Sequence, residues 1–123
     1  MECNLIKVLV VDDDETMRLL LSTLLTMENY QVQTISPINV KQLHQELQSF
    51  SPDIIILDNY LKHLNGMKIL EELRSSRNYD NIKFIMTSGE DLSVHAIKVG
   101  ASHFLLKPYM PSELIEYLHM LSS

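Results

Sequence analysis

Four short apolar runs in this chain each end in a residue able to do chemistry. Asp12 and Asp13 follow KVLVV, Asp58 follows IIIL, Ser88 follows IKFIMT and Lys107 follows HFLL. If the first and third runs are neighbouring strands, about 4.8 Å apart, three carboxylates converge within a few ångströms and repel one another unless a cation shares them. A hard divalent ion with oxygen ligands meets that need. Mg²⁺ takes only one or two carboxylates and keeps several waters, leaving room for a phosphoryl group, so the pattern predicts a Mg²⁺ site. Lys107 adds a point charge that pairs with Asp58 at rest or with phosphoryl oxygens during transfer, and the Ser88 hydroxyl can donate to the same oxygens.

Each signal alone has an ordinary explanation. Acids before a helix complement its dipole and cap free N–H groups, a role that suits Asp14 and Glu15. Asp58 before Asn59 reads equally as a turn residue, Ser88-Gly89 as a common turn, and Lys107-Pro108 says little by itself. Their joint occurrence at the ends of several strands in one short chain is what points to a site.

The elements that would position these residues alternate strictly. Ile6 to Val11, Ile54 to Leu57, Ile82 to Thr87 and His103 to Leu106 read as strands, and Gln31 to Ile35 as an edge strand. Between and after them lie helical patterns. Met17, Leu20, Leu21, Leu24 and Leu25 form the first; Val40, Leu43, Leu47 and Phe50 the second; Met67, Ile69, Leu70 and Leu73, after Gly66, the third. Leu92 to Val99 is a short helix ended by Gly100, and Pro111 opens a last one. Five βα units imply a doubly wound α/β domain with a parallel sheet covered on both faces. Ligands of such sheets gather at the carboxyl ends of the strands, where the polar residues stand.

Composition narrows the function further. The chain has 123 residues, 46% hydrophobic and 21% charged, with a formal net charge of −6. That predicts one domain over residues 1–123 with one core. The absence of a Lys/Arg cluster argues against direct contact with nucleic acid or an anionic membrane. No apolar run approaches the roughly 20 residues of a membrane-spanning helix. The single cysteine, Cys3, and a start without a signal-peptide pattern suggest a reducing cytoplasm. The five histidines have no metal-ligand spacing, and His63 reads as a solvated loop residue.

The stretches VLVVDDDETMR, PDIIILDNYLKHLNGMKIL, IKFIMTSGE and VGASHFLLKPY resemble the response-regulator receiver domains of two-component signalling, along essentially the whole chain. The resemblance implies a flavodoxin-like (βα)5 fold with strand order 2-1-3-4-5. It also implies that Asp58 accepts a phosphoryl group from a histidine kinase or histidine phosphotransfer protein. Asp12 and Asp13 then match the acidic pair that binds Mg²⁺ with Asp58, and the backbone carbonyl of Tyr60 a further ligand. Ser88 matches the hydroxyl switch, Phe104 the switch aromatic, and Lys107 the conserved-type lysine, with Lys107-Pro108 a candidate cis peptide. The expected partners are the phosphoryl donor and a downstream effector or output domain; a homodimer is also compatible. Such a domain assists its own phosphorylation and dephosphorylation and is not an enzyme in the usual sense.

Lys62 stands where the family usually has proline, and the segment from Ser88 to Lys107 is a few residues short. Thr87 lies beside Ser88, and a one-residue change of register would exchange them; Gly89 after Ser88 favours Ser88. Tyr60 and Glu90, two residues beyond Asp58 and Ser88, occupy positions that tune water access to the acyl phosphate. Three other readings compete. A pseudo-receiver acting only as an interaction module is disfavoured by the complete residue set, and a Mg²⁺-dependent phosphohydrolase by Tyr60 in place of a second acid. A flavin-binding protein is disfavoured by acids facing the cofactor phosphate.

Overall fold

In the computed structural model, which describes residues 5–122, the apolar runs are five parallel strands. Cys3 lies outside the described residues. The strands are β1 (Lys7–Val11), β2 (Gln31–Ile35), β3 (Ile54–Asp58), β4 (Lys83–Ser88) and β5 (His103–Leu106), in sheet order β2-β1-β3-β4-β5. They alternate with α1 (Glu15–Met27), α2 (Val40–Phe50), α3 (Gly66–Arg74), α4 (Ser93–Val99) and α5 (Pro111–Ser122). This is the flavodoxin-like order, whose winding reverses between β1 and β3. Among the described residues no helix is long and apolar enough to cross a membrane.

The central strands are buried on both sides, which is why they read as continuous apolar runs. Side chains alternate across the sheet. Leu9, Val11, Ile55, Leu57, Phe84 and Met86 face one layer, where α2 contributes Leu43 and Leu47, α3 Leu70 and Leu73, and α4 Ala96. Val8, Val10, Ile54, Ile56, Ile85 and Leu105 face the other, with Leu21 and Leu25 of α1 and Leu114 and Leu118 of α5. Fully burying one such aliphatic side chain stabilises the fold by about 1.5–3 kcal/mol.

Helix starts follow local chemistry. Asp14 caps α1, its Oδ1 accepting from the N–H groups of Thr16 (2.9 Å) and Met17 (3.3 Å), while Glu15 occupies the first turn. Asn39 caps α2 and Asn65 caps α3 in the same way. Gly66 is the first residue of α3 and not merely its forerunner. A short 3-10 turn, Arg77–Tyr79, has no counterpart in the periodicity because three residues are too few to show one. Lys107-Pro108 is cis, as the resemblance suggested.

Gly66 fastens α3 directly beneath the end of β3. A Cβ at this position would lie 2.3 Å from the Asp58 carbonyl oxygen and 2.8 Å from the Asn59 Cα, both backbone atoms. The space is closed to any side chain. Gly66→Ala is therefore expected to destabilise the protein by about 1–3 kcal/mol, the usual range for overpacking. A lowered urea midpoint with unchanged slope would report this; an unchanged midpoint would show that the junction yields freely.

Candidate functional site

The carboxyl ends of β1, β3, β4 and β5 meet at one edge of the sheet, and alternation decides which way each residue there faces. Register pairs Val11 with Leu57, Asp58 with Thr87, and Ser88 with Leu106. Asp12 continues the series of Val8 and Val10, Asp58 that of Ile54 and Ile56, Thr87 that of Ile85, and Lys107 that of Leu105. These four side chains belong to the α1/α5 side. Asp13, Ser88 and Phe104 fall on the opposite side.

Lys107 joins the first group. Its ammonium Nζ is 3.1 Å from Asp12 Oδ2 and 3.3 Å from Asp58 Oδ2. Both carboxylates are buried. Burial pushes the Asp58 carboxyl above its ordinary pKa; the Lys107 charge opposes that rise and the Asp12 charge adds to it, leaving the net shift upward. Burial lowers the Lys107 pKa, but Asp12 and Asp58 raise it more, so the ammonium stays charged. Tyr109, two residues on, lies in the same negative field: burial first, then Asp12 and Asp58, push its phenol up to about 12.

Asp13 does not join the other two acids. Its Oδ1 accepts from the Ser36 hydroxyl at 2.7 Å and its Oδ2 from the Lys62 backbone N–H. The three carboxylates expected to converge are thus divided, two on Lys107 and one between the loops after β2 and β3. Among the described residues no three acidic, histidine or cysteine side chains are gathered as a metal cage. The physical reason is repulsion: adjacent acids on opposite faces each reach their own donors. Asp12 also accepts from the Asp14 N–H through Oδ1, at 2.9 Å, which fixes the turn into α1.

The two hydroxyls at the end of β4 are separated by the same alternation. Ser88 is fully buried, and its Oγ accepts from the Glu90 N–H at 3.1 Å. Thr87, also buried, has its Oγ1 3.4 Å from Asp58 Oδ1. Phe104 pairs in register with Met86, on the Ser88 side of the sheet, and is partly buried against that core layer. Sequence reasoning weighed Thr87 only as an alternative to Ser88; its contact with Asp58 is legible only once the strand register is known.

Beyond the ends of β3 and β4, Tyr60 and Glu90 reach toward each other. The exposed Tyr60 hydroxyl donates to Glu90 Oε1, and that hydrogen bond raises the phenol pKa. The loop between β3 and α3 is held from below, where Asn59 Oδ1 accepts from the Met67 N–H at 3.0 Å and the Asn59 carbonyl from the Gly66 N–H at 2.7 Å. Lys62 contributes its backbone N–H to Asp13, a donor that proline could not supply.

A family model for the response regulator receiver domain matches residues 8–119. The chemotaxis protein CheY of Thermotoga maritima is 30% identical over 119 residues, 94% of this chain and 97% of that protein. The transcriptional regulatory protein KdpE of Staphylococcus aureus is 31% identical over 108 residues, which are 88% of this chain but 46% of KdpE. The solved signal receiver domain of a response regulator from Bermanella marisrubri superposes with a TM-score of 0.87 at 28% identity, covering 98% of this chain and all of that one (100%). With the family match running through every strand and the site standing at the sheet edge where the winding reverses, the chain belongs to the response regulator receiver domains of two-component systems.

Proposed function

We propose that Asp58 is a phosphoacceptor, receiving a phosphoryl group from a histidine kinase or histidine phosphotransfer protein in the cytoplasm. The observation that carries this reading is a buried carboxylate at the end of β3 whose Oδ2 lies 3.3 Å from the Lys107 ammonium. Asp58 attacks phosphorus in line; the new P–O bond forms as the P–N bond of a phosphohistidine, or the P–O bond of an acyl phosphate, breaks. The electron pair leaves with the donor. Lys107 draws in the phosphoryl oxygens and holds the charge they carry, so the protein's contribution is positioning and electrostatics.

The donor set fits Mg²⁺. Asp12, Asp13, Asp58 and the Tyr60 backbone carbonyl would offer oxygen ligands only, and three carboxylates with one ammonium leave a formal charge that a divalent ion would balance. Mg²⁺ needs only one or two of the carboxylates directly, so the separate footing of Asp13 is compatible with the site. When bound, the ion supplies positive charge to the phosphoryl oxygens. The switch hydroxyl expected at Ser88 is better supplied by Thr87, whose Oγ1 lies 3.4 Å from Asp58 Oδ1, because strand alternation turns Ser88 to the opposite face, against the Glu90 N–H; Thr87 moves toward the phosphoryl group and Phe104 follows inward. An effector or output domain that binds one of the two states better reads the change. The pseudo-receiver reading has no observation in its favour.

Incubation with acetyl phosphate and Mg²⁺ is expected to add one phosphoryl mass to the intact protein and none to Asp58→Asn. An unlabelled wild type, under conditions that label another receiver, would refute the assignment. Asp13→Ala is expected to weaken Mg²⁺ binding at least tenfold, the scale on which losing a metal-site interaction is usually felt; calorimetric titration checks it, and an unchanged isotherm removes Asp13 from the site.

The upward shift of Asp58 also has a stability consequence. A carboxyl whose pKa is higher in the folded than in the unfolded chain contributes most when protonated, below the unfolded value near 3.8, and that contribution is lost as pH rises through the folded value. Asp58→Asn is therefore expected to raise Tm at neutral pH, by about 3–5 °C for each kcal/mol recovered, and to leave it unchanged below pH ~3.5. Calorimetric scans at both pH values decide this, and a lower Tm at neutral pH would contradict it.

A further inference from the structure

Between the start of α2 and the loop that enters α3 the surface opens into a groove of about 610 Å³, a size that takes a ligand or an anchoring side chain. It is lined by the buried Ile69, by Leu64, which is partly buried against the core, and by Val40, the first residue of α2. Lys62, His63 and Lys68, all exposed, line the same groove. An apolar lining thus carries a cationic rim. This runs against the chain as a whole, whose formal net charge is −6, and no acid stands anywhere from Asn59 to Leu70. Of the ion pairs among the described residues, none involves Lys62 or Lys68. α2 and α3 both begin here without an acid in the first turn, so the positive ends of their dipoles add to the field of the two lysines. Glu72, the acid that does line the groove, has its Oε1 3.9 Å from His44 Nε2.

We propose that this groove docks a peptide segment of a partner protein in which an apolar side chain is flanked by acidic residues. The apolar side chain fills the space among Val40, Leu64 and Ile69, and its burial supplies the affinity. The flanking carboxylates meet Lys62 and Lys68 at the rim, where complementary charge selects the partner and speeds its arrival. A basic or neutral segment would leave both ammonium groups facing apolar atoms or like charge. A second copy of this chain suits the groove less well, because two molecules of net charge −6 repel at long range while a short segment brings only its local charge. The proposal stands apart from the phosphoacceptor reading of Asp58. The groove opens on the α2/α3 side of the sheet, whereas Lys107 and its two carboxylates belong to the α1/α5 side.

Short random peptides displayed on phage, selected on the immobilised full chain, test this without a known partner. Enriched peptides are made with a fluorophore and titrated by anisotropy against wild type, Lys68→Glu, Lys62→Gln and Lys83→Glu, with a thermal melt of each protein alongside. Lys83, exposed at the start of β4 and so at the opposite end of the sheet, controls for net charge. The enriched peptides are expected to carry Asp or Glu beside Leu, Ile or Phe. They should bind Lys83→Glu within about twofold of wild type, Lys68→Glu about tenfold more weakly, and Lys62→Gln with a smaller loss in the same direction. No enrichment, enriched peptides without acids, or equal losses in Lys68→Glu and Lys83→Glu overturn the proposal. Sedimentation showing a dimer of the peptide-free protein that Lys68→Glu breaks would give the groove to a second copy, and overturns it as well.

Discussion

The site depends on one ammonium placed between two buried carboxylates. Lys107, at 3.1 Å from Asp12 and 3.3 Å from Asp58, makes it tolerable to bury both acids at the end of the sheet. A single positive charge does not neutralise two negative ones, and Asp58 keeps a pKa above its ordinary value. A buried ion pair of this kind is weak evidence for stability and stronger evidence for a poised site. The excess negative charge is what a divalent ion and an electrophilic phosphorus would both relieve.

Strand alternation is the second constraint, and it accounts for a division of labour that neighbouring positions would not suggest. Asp12 and Asp13 are adjacent in sequence yet serve different loops, one meeting Lys107 and the other Ser36 and the Lys62 N–H. Thr87 and Ser88 are likewise adjacent, one against Asp58 and the other against Glu90. One face of the sheet edge therefore holds the groups nearest Asp58, while the other holds Ser88 and Phe104. The end of β4, where Thr87 meets Asp58 and Ser88 lies on the second face, connects the two. That strand end is short, buried and hydrogen-bonded to both neighbours.

Much of this was legible in the residues. The strand from His103 to Leu106 ends where the apolar run ends, and the cap at Asp14 and first-turn acid at Glu15 follow from their place before an amphipathic segment. What sequence could not supply was direction. Convergence of Asp12, Asp13 and Asp58 was expected from strand spacing alone, and spacing says nothing of which face a residue beyond the strand will take. The strand that periodicity placed at Ile82 to Thr87 runs from Lys83 to Ser88, and its register against β3, which periodicity does not give, is what pairs Thr87 with Asp58. Leu20 fits the helical spacing of its neighbours yet remains largely exposed, since the buried stripe of α1 is carried by Leu21 and Leu25.

The central claim is electrostatic, that burial and Asp12 outweigh Lys107 at Asp58. A carbon-13 NMR titration of the Asp58 side-chain carboxyl in metal-free protein measures it residue by residue. The account predicts a midpoint above the ordinary aspartate value of 3.8, falling when Mg²⁺ is added. A midpoint at or below 3.8 in the absence of metal would mean that Lys107 fully compensates its two carboxylates, and the account of a poised acceptor would be wrong.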